Sequence, residues 1–132
     1  MAKKGHQIVV KIEQFHDVML VTPLGERLAL VEVPIVFEQI LKLCHGGKRM
    51  FVVDFSHVSW VTPSMPGILV DLTDKIGELG GEVRLAAMNE QAQATLDIFK
   101  IRDRFMLFDN ADEAIASFGN GRLVRRDVYA QW

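Results

Sequence analysis

The sequence has almost no cysteine. Only Cys44 occurs among its 132 residues, and a lone thiol closes no internal disulfide. The fold must therefore be held by packing, and nothing points to an oxidising compartment. A strong charge of one sign is also missing. Lys and Arg number 15 against 17 Asp and Glu, a formal net charge of −2. That balance makes no strong field for a phosphate backbone, so no nucleic-acid partner is expected. Long hydrophobic runs are absent as well. The most apolar stretch, Leu28 to Phe37, is interrupted by Glu32 and Pro34 and is too short to span a bilayer. Lys3 and Lys4 near the start have no long apolar segment behind them, so the opening does not read as a signal peptide. The expected location is cytoplasmic, with no membrane insertion.

Motifs for catalysis or metal binding are equally scarce. His6, His16, His45 and His57 are scattered, and no pair has a strong zinc-ligand spacing. Only Asp54 and His57 lie close in sequence. Asp54 ends a strand, where α/β sheets place ligands, yet its simpler role is to order the following loop. Cys44 falls on an apolar helical face and has no polarising base beside it in sequence, so it reads as a packing residue. Gly46-Gly47 and Gly80-Gly81 follow helical patterns and read as helix stops rather than as phosphate loops. The expectation is a non-enzymatic protein without catalytic residues, metal or cofactor.

What is present is ordinary globular composition, with 49% apolar and 24% charged residues. A chain of this length buries roughly two-thirds of its unfolded surface and needs no staple. Ile8–Ile12 and Val18–Val21 read as strands joined near Gln14–Asp17. Pro34 suits a first helical turn, and Phe37, Ile40, Leu41 and Cys44 follow on one face. The run from Arg49 to Phe55 is continuously apolar at its centre, as in a strand covered on both sides. Met65, Ile68, Leu69, Leu72, Ile76 and Leu79 stripe a helix from Ser64 to Leu79. A strand from Glu82 to Ala87 follows. A short helix capped by Asn89 comes next, then a strand at Phe105–Phe108 and a helix begun by Asn110. The order β-β-α-β-α-β-α-β-α predicts a single α/β domain. Its sheet should be mixed but mostly parallel, with four to five strands against about four helices. Residues 1–119 form that domain in this reading. Residues 120–132 form a tail carrying Arg122, Arg125 and Arg126 among Leu123, Val124, Val128, Tyr129 and Trp132.

The most informative segment runs Val52-Val53-Asp54-Phe55-Ser56-His57-Val58-Ser59-Trp60-Val61-Thr62-Pro63-Ser64-Met65-Pro66-Gly67-Ile68-Leu69. A buried strand ends in a polar loop, and a hydroxyl stands just before an amphipathic helix. This resembles the STAS family of bacterial anti-sigma factor antagonists, in which a "vvDls" strand leads to a "D-S-S-G-l-g" helix start. Gly80-Gly81-Glu82-Val83-Arg84-Leu85 is similar to the family's "gg-x-l-x-l" strand. Leu96-Asp97-Ile98-Phe99 with Ile101-Arg102-Asp103-Arg104-Phe105, and then Asp109-Asn110-Ala111-Asp112-Glu113-Ala114, resemble its later segments. Ser64 falls on the family's phospho-acceptor serine and Gly67 on its later glycine. Thr62 stands where the family has aspartate, Pro63 where it has the first serine, and Met65 where it has glycine.

The resemblance implies a regulatory module in a partner-switching pathway of transcription control. Its partner would be a serine-kinase anti-sigma factor, which binds the unphosphorylated module and is released when it phosphorylates Ser64. Ser56, His57, Trp60, Thr62, Pro63, Ser64, Met65 and Gly67 would form the partner-binding surface. The residues themselves leave a structural alternative open, because serine is among the best N-cap residues and Ser64 then only holds the helix end. Trp60 reads either as an exposed interface anchor or as a residue tucked under the loop. Two other functions stay open: a STAS scaffold or signalling-complex subunit that is never phosphorylated, and a STAS subunit of a lipid-transport system. A homodimer is compatible with all of these.

Overall fold

A computed structural model describes residues 8–119. The expected tail at 120–132 lies outside the described residues. The central sheet has the order β1 (Val10–Phe15), β2 (Val18–Pro23), β4 (Met50–Asp54), β6 (Glu82–Ala86) and β7 (Leu107–Phe108). β1 and β2 form an antiparallel hairpin, and every later neighbour is parallel. The hairpin turns more tightly than expected. β1 continues to Phe15, and His16 takes a left-handed backbone with φ 58°.

The helices are α1 (Glu32–His45), α2 (Met65–Glu78), α3 (Glu90–Ile98) and α4 (Ala111–Gly119). The mixed, mostly parallel α/β architecture read from the sequence is the one observed. Two short strands were not foreseen. β3 (Arg27–Leu28) and β5 (Trp60–Val61) pair in parallel as a separate small sheet.

Alternation along β2 and β4 divides the core. Met19, Val21, Phe51 and Val53 face α1, α2 and α3 in one apolar cluster. Val18, Leu20 and Val52 point the other way, onto Ala114 and Phe118 of α4. β4 is thus covered on both faces, which is why its apolar run is continuous. Arg84 on the α4 side stacks over Phe118, 3.9 Å from the ring centroid, and donates to Ser117 Oγ at 2.6 Å. No described helix is long and apolar enough to cross a membrane.

Helix ends follow the glycines. Gly47, with φ 109°, closes α1, and its N–H donates to Cys44 O at 3.0 Å. Gly80, with φ 87°, turns the chain out of α2. Gly81 is constrained by space instead. A Cβ there would lie 2.8 Å from Ile76 Cγ2 and 2.9 Å from the Arg49 carbonyl oxygen. That carbonyl also accepts from Glu82 N at 2.8 Å, so it cannot move without breaking the entry to β6. Gly81→Ala should therefore cost about 1–3 kcal/mol as an overpacking change, read as a lowered urea midpoint with unchanged m-value.

Candidate functional site

The site begins where β4 runs out. Asp54 Oδ1 accepts from Ser56 N at 3.0 Å, so the carboxylate shapes the turn that follows the strand. Beyond it, apolar and polar residues alternate in and out of the body. Phe55, Val58 and Val61 are buried, while Ser56, His57 and Ser59 are exposed. The apolar residues act as pegs that hold the loop down, leaving the polar ones at the surface.

Hydrogen bonds then fix the path. The Glu26 carbonyl accepts from Ser59 N at 2.7 Å, Trp60 N at 3.2 Å and Ser59 Oγ at 3.1 Å. Thr62 N donates to Leu28 O at 2.8 Å. On the other side of the loop, Gln91 and Asn89 of the α3 start reach Val61 and Ser59. Trp60 is half-buried, with the Arg27 guanidinium stacked 4.1 Å from its ring centroid. It is therefore neither fully displayed nor tucked away.

At the entry to α2, the bonded hydroxyl is that of Thr62 and not that of Ser64. Thr62 is 7% exposed, and its Oγ1 accepts from Ser64 N at 3.3 Å. The Thr62 carbonyl accepts from Met65 N at 2.9 Å. Ser64 occupies the position before the first helical residue with φ −80° and ψ −10°, and its side chain makes no capping bond. A serine that caps its helix uses an extended backbone to swing its oxygen over the first turn. The helical backbone at Ser64 prevents this and leaves its hydroxyl at an exposed residue. The capping alternative for Ser64 is corrected accordingly: its side chain makes no cap bond, and Thr62 Oγ1 orders the turn that leads into α2.

The remaining candidates separate by exposure. Pro63 and Gly67 are exposed beside Ser64, and a Cβ built on Gly67 meets nothing within 4 Å. Met65 differs from the expectation. Its side chain is 0% exposed, so it supports the helix start from beneath and cannot itself touch a partner. Thr62 is likewise a supporting residue. The exposed set at the helix start is thus Pro63, Ser64 and Gly67, with Ser56 and His57 on the preceding loop. The first turn of α2 contains no acidic residue, so the positive end of the helix faces no carboxylate of its own there. Among the described residues, no group of three or more His, Cys, Asp or Glu side chains is arranged to hold a metal ion.

This geometry, a free hydroxyl at the start of the second helix of a β-β-α-β-α-β-α-β-α domain, coincides with a family match. The STAS domain model matches residues 9–114. The chain belongs to the STAS domain family. No curated protein sequence matches it. Among solved structures, an anti-sigma factor antagonist from Mycobacterium paratuberculosis aligns with TM-score 0.72 at 20% identity, covering 85% of this chain and 94% of that one. The unphosphorylated form of the anti-sigma factor antagonist SpoIIAA aligns with TM-score 0.71 at 14% identity, over 85% and 97% of the two chains. The phosphorylated form of the Bacillus protein aligns with TM-score 0.66 at 15% identity, over 83% and 99%. The same fold occurs within a murine Solute Carrier 26 family anion transporter, with TM-score 0.64 at 18% identity over 79% of this chain and 18% of the transporter. At these identities the likeness is one of fold.

Sequence reasoning missed Glu26, Arg27 and Gln91, whose roles arise only when distant segments meet. Asn89 was legible as a cap, but its bond to Ser59 was not. The division of labour at the helix start is testable. Thr62→Val keeps the shape and removes the accepting oxygen, and should cost about 0.5–1 kcal/mol of unfolding free energy. Ser64→Ala should stay within about 0.5 kcal/mol of the parent. Equal and large losses for both variants in chemical denaturation would contradict this division between a bonded Thr62 and an unbonded Ser64 side chain.

Proposed function

We propose that this STAS domain is an anti-sigma factor antagonist-type module of a partner-switching pathway in the cytoplasm, acting by docking a protein and not by catalysis. Its partner is a serine-kinase anti-sigma factor, held through the loop 56–64 and the first turn of α2. Phosphorylation of Ser64 ends the complex and thereby regulates transcription. The observation that carries this reading is the Ser64 hydroxyl: it lies on an exposed residue, has no structural duty at the cap, and sits at the positive end of a 14-residue helix.

The physics of the switch follows from that placement. A phosphate adds roughly −1.5 to −2 charges at neutral pH. The helix start tolerates that charge, and no carboxylate in the first turn opposes it. Thr62 adds no charge where the family pattern has aspartate. A partner that covers the hydroxyl in a dry contact does not tolerate the charge. A penalty of ~3 kcal/mol lowers affinity more than a hundredfold. The module can therefore let go without unfolding. That the Bacillus relative has been solved in its phosphorylated form with this fold supports a switch that leaves the domain intact.

A second reading is a STAS scaffold that docks its partner through the same surface and is never phosphorylated. It is favoured by the rigid Pro63 and the fully buried Met65 on either side of Ser64, which limit how far this segment can adapt to a kinase cleft.

The readings separate in one assay. The full chain is incubated with a kinase-type anti-sigma factor and ATP, and its peptides are mapped by mass spectrometry. Modification of Ser64, lost in Ser64→Ala, is the expected result. Ser64→Asp should weaken the complex by about two orders of magnitude in titration calorimetry. An unmodified Ser64 beside a modified control substrate, with Ser64→Asp binding as tightly as the parent, would leave only the scaffold. Gly67 offers an independent probe of the docking surface. Gly67→Ala fills open space on an exposed helix, so it should stabilise the free domain by about 0.5–1 kcal/mol. Gly67→Trp at the same point should lower partner affinity at least tenfold while thermal unfolding stays near that of the parent.

A further inference from the structure

β5 has two edges. Trp60 and Thr62 direct their N–H groups to Glu26 O and Leu28 O on the β3 side. The N–H and C=O of Val61 face the opposite edge, where no strand of the described fold lies. A single side chain fills that edge. Gln91 Oε1 accepts from Val61 N at 2.9 Å, and Gln91 Nε2 donates to Val61 O at 2.9 Å. The carboxamide supplies the donor and acceptor that a neighbouring strand would supply. Gln91 is well placed for this because it sits in the first turn of α3, whose start is itself locked. Asn89 Oδ1 accepts from Ala92 N at 2.9 Å, capping α3, and Asn89 Nδ2 donates to Ser59 O at 2.9 Å. The α3 start therefore grips the loop at Ser59 and Val61. Thr62 follows directly and accepts from Ser64 N.

We propose that Gln91 and Asn89 are positioning residues for Ser64: the first turn of α3 sets where β5 ends, and so where the hydroxyl is presented at the start of α2. The proposal rests on the reading of Ser64 as the switch residue. It makes the start of α3 a second point from which docking is controlled.

The test needs no partner, so it stands apart from the functional assay. In a Ser64→Cys background, a nitroxide attached at that position reports local motion, because Cys44 is buried and does not compete for the label. Adding Gln91→Ala should speed hydrogen exchange of the Val61 amide roughly tenfold or more, since a bond pair is lost. The Val52 and Val53 amides of β4 should not change, and the nitroxide spectrum should shift to faster motion. Gln91→Glu keeps the acceptor but loses the donor, and should fall between parent and Gln91→Ala. Asn89→Asp separates the cap from the tie. Its carboxylate still accepts from Ala92 N, so the α3 amides stay protected while those of Ser59 and Trp60 exchange faster. Faster exchange at Val61 with an unchanged nitroxide spectrum would overturn the proposal, since the tie would then stop short of Ser64. Uniform acceleration that includes β4 would also overturn it, since Gln91 would then serve general stability. Loss of kinase recognition in the parent chain, with these spectra as expected, would instead count against the switch reading alone.

Discussion

Burial of β4 on both faces is the constraint on which the other features depend. Phe51 and Val53 are sealed by α1, α2 and α3, and Val52 by α4. A strand so enclosed cannot slip by one residue, because every apolar side chain would exchange its face for the other. Its end at Asp54 is therefore a fixed point. The chain must leave there, cross the top of the sheet and start α2, and the position of Ser64 is measured from that exit.

The crossing itself is stiffened by bonds to neighbouring segments. Asp54 turns the chain, the β3–β5 pairing holds one edge, and the amides of Asn89 and Gln91 hold the other. Thr62 Oγ1 then orders the turn into α2 by accepting from Ser64 N. The result is a separation of duties. Buried or bonded groups carry the geometry, while the Ser64 side chain makes no cap bond and Gly67 faces open space. A charge can be added at such a surface with little consequence for the fold beneath it. This is the physical condition that the proposed switch requires.

Much of the fold was legible along the chain because its signals are local. The stripe at Met65, Leu69, Leu72 and Ile76 repeats at helical spacing, and all four residues are buried. The continuous run in β4 announced a strand covered twice. Asn89 announced a cap and is one. The small β3–β5 sheet left no such trace. Two residues are too few to show periodicity, and Arg27-Leu28 looks like loop until Trp60-Val61 arrives beside it. Thr62 and Ser64 were both visible as hydroxyls at a helix start. Which one is bonded at the helix entry depends on a backbone angle that propensity does not encode.

Composition and periodicity by themselves determined the class of the protein: one α/β body, held by packing, with an ordered succession of strands and helices. They did so because burial of alternating or helical apolar patterns is read residue by residue, whatever the rest of the chain does. Only the tertiary structure decided which hydroxyl is free, that Met65 lies underneath and not on the surface, and that Gln91 completes an edge 30 residues away. Those outcomes are set by hydrogen bonds and contacts between segments distant in sequence. Such bonds have no periodic signature, and they exist only once the sheet has brought their partners together.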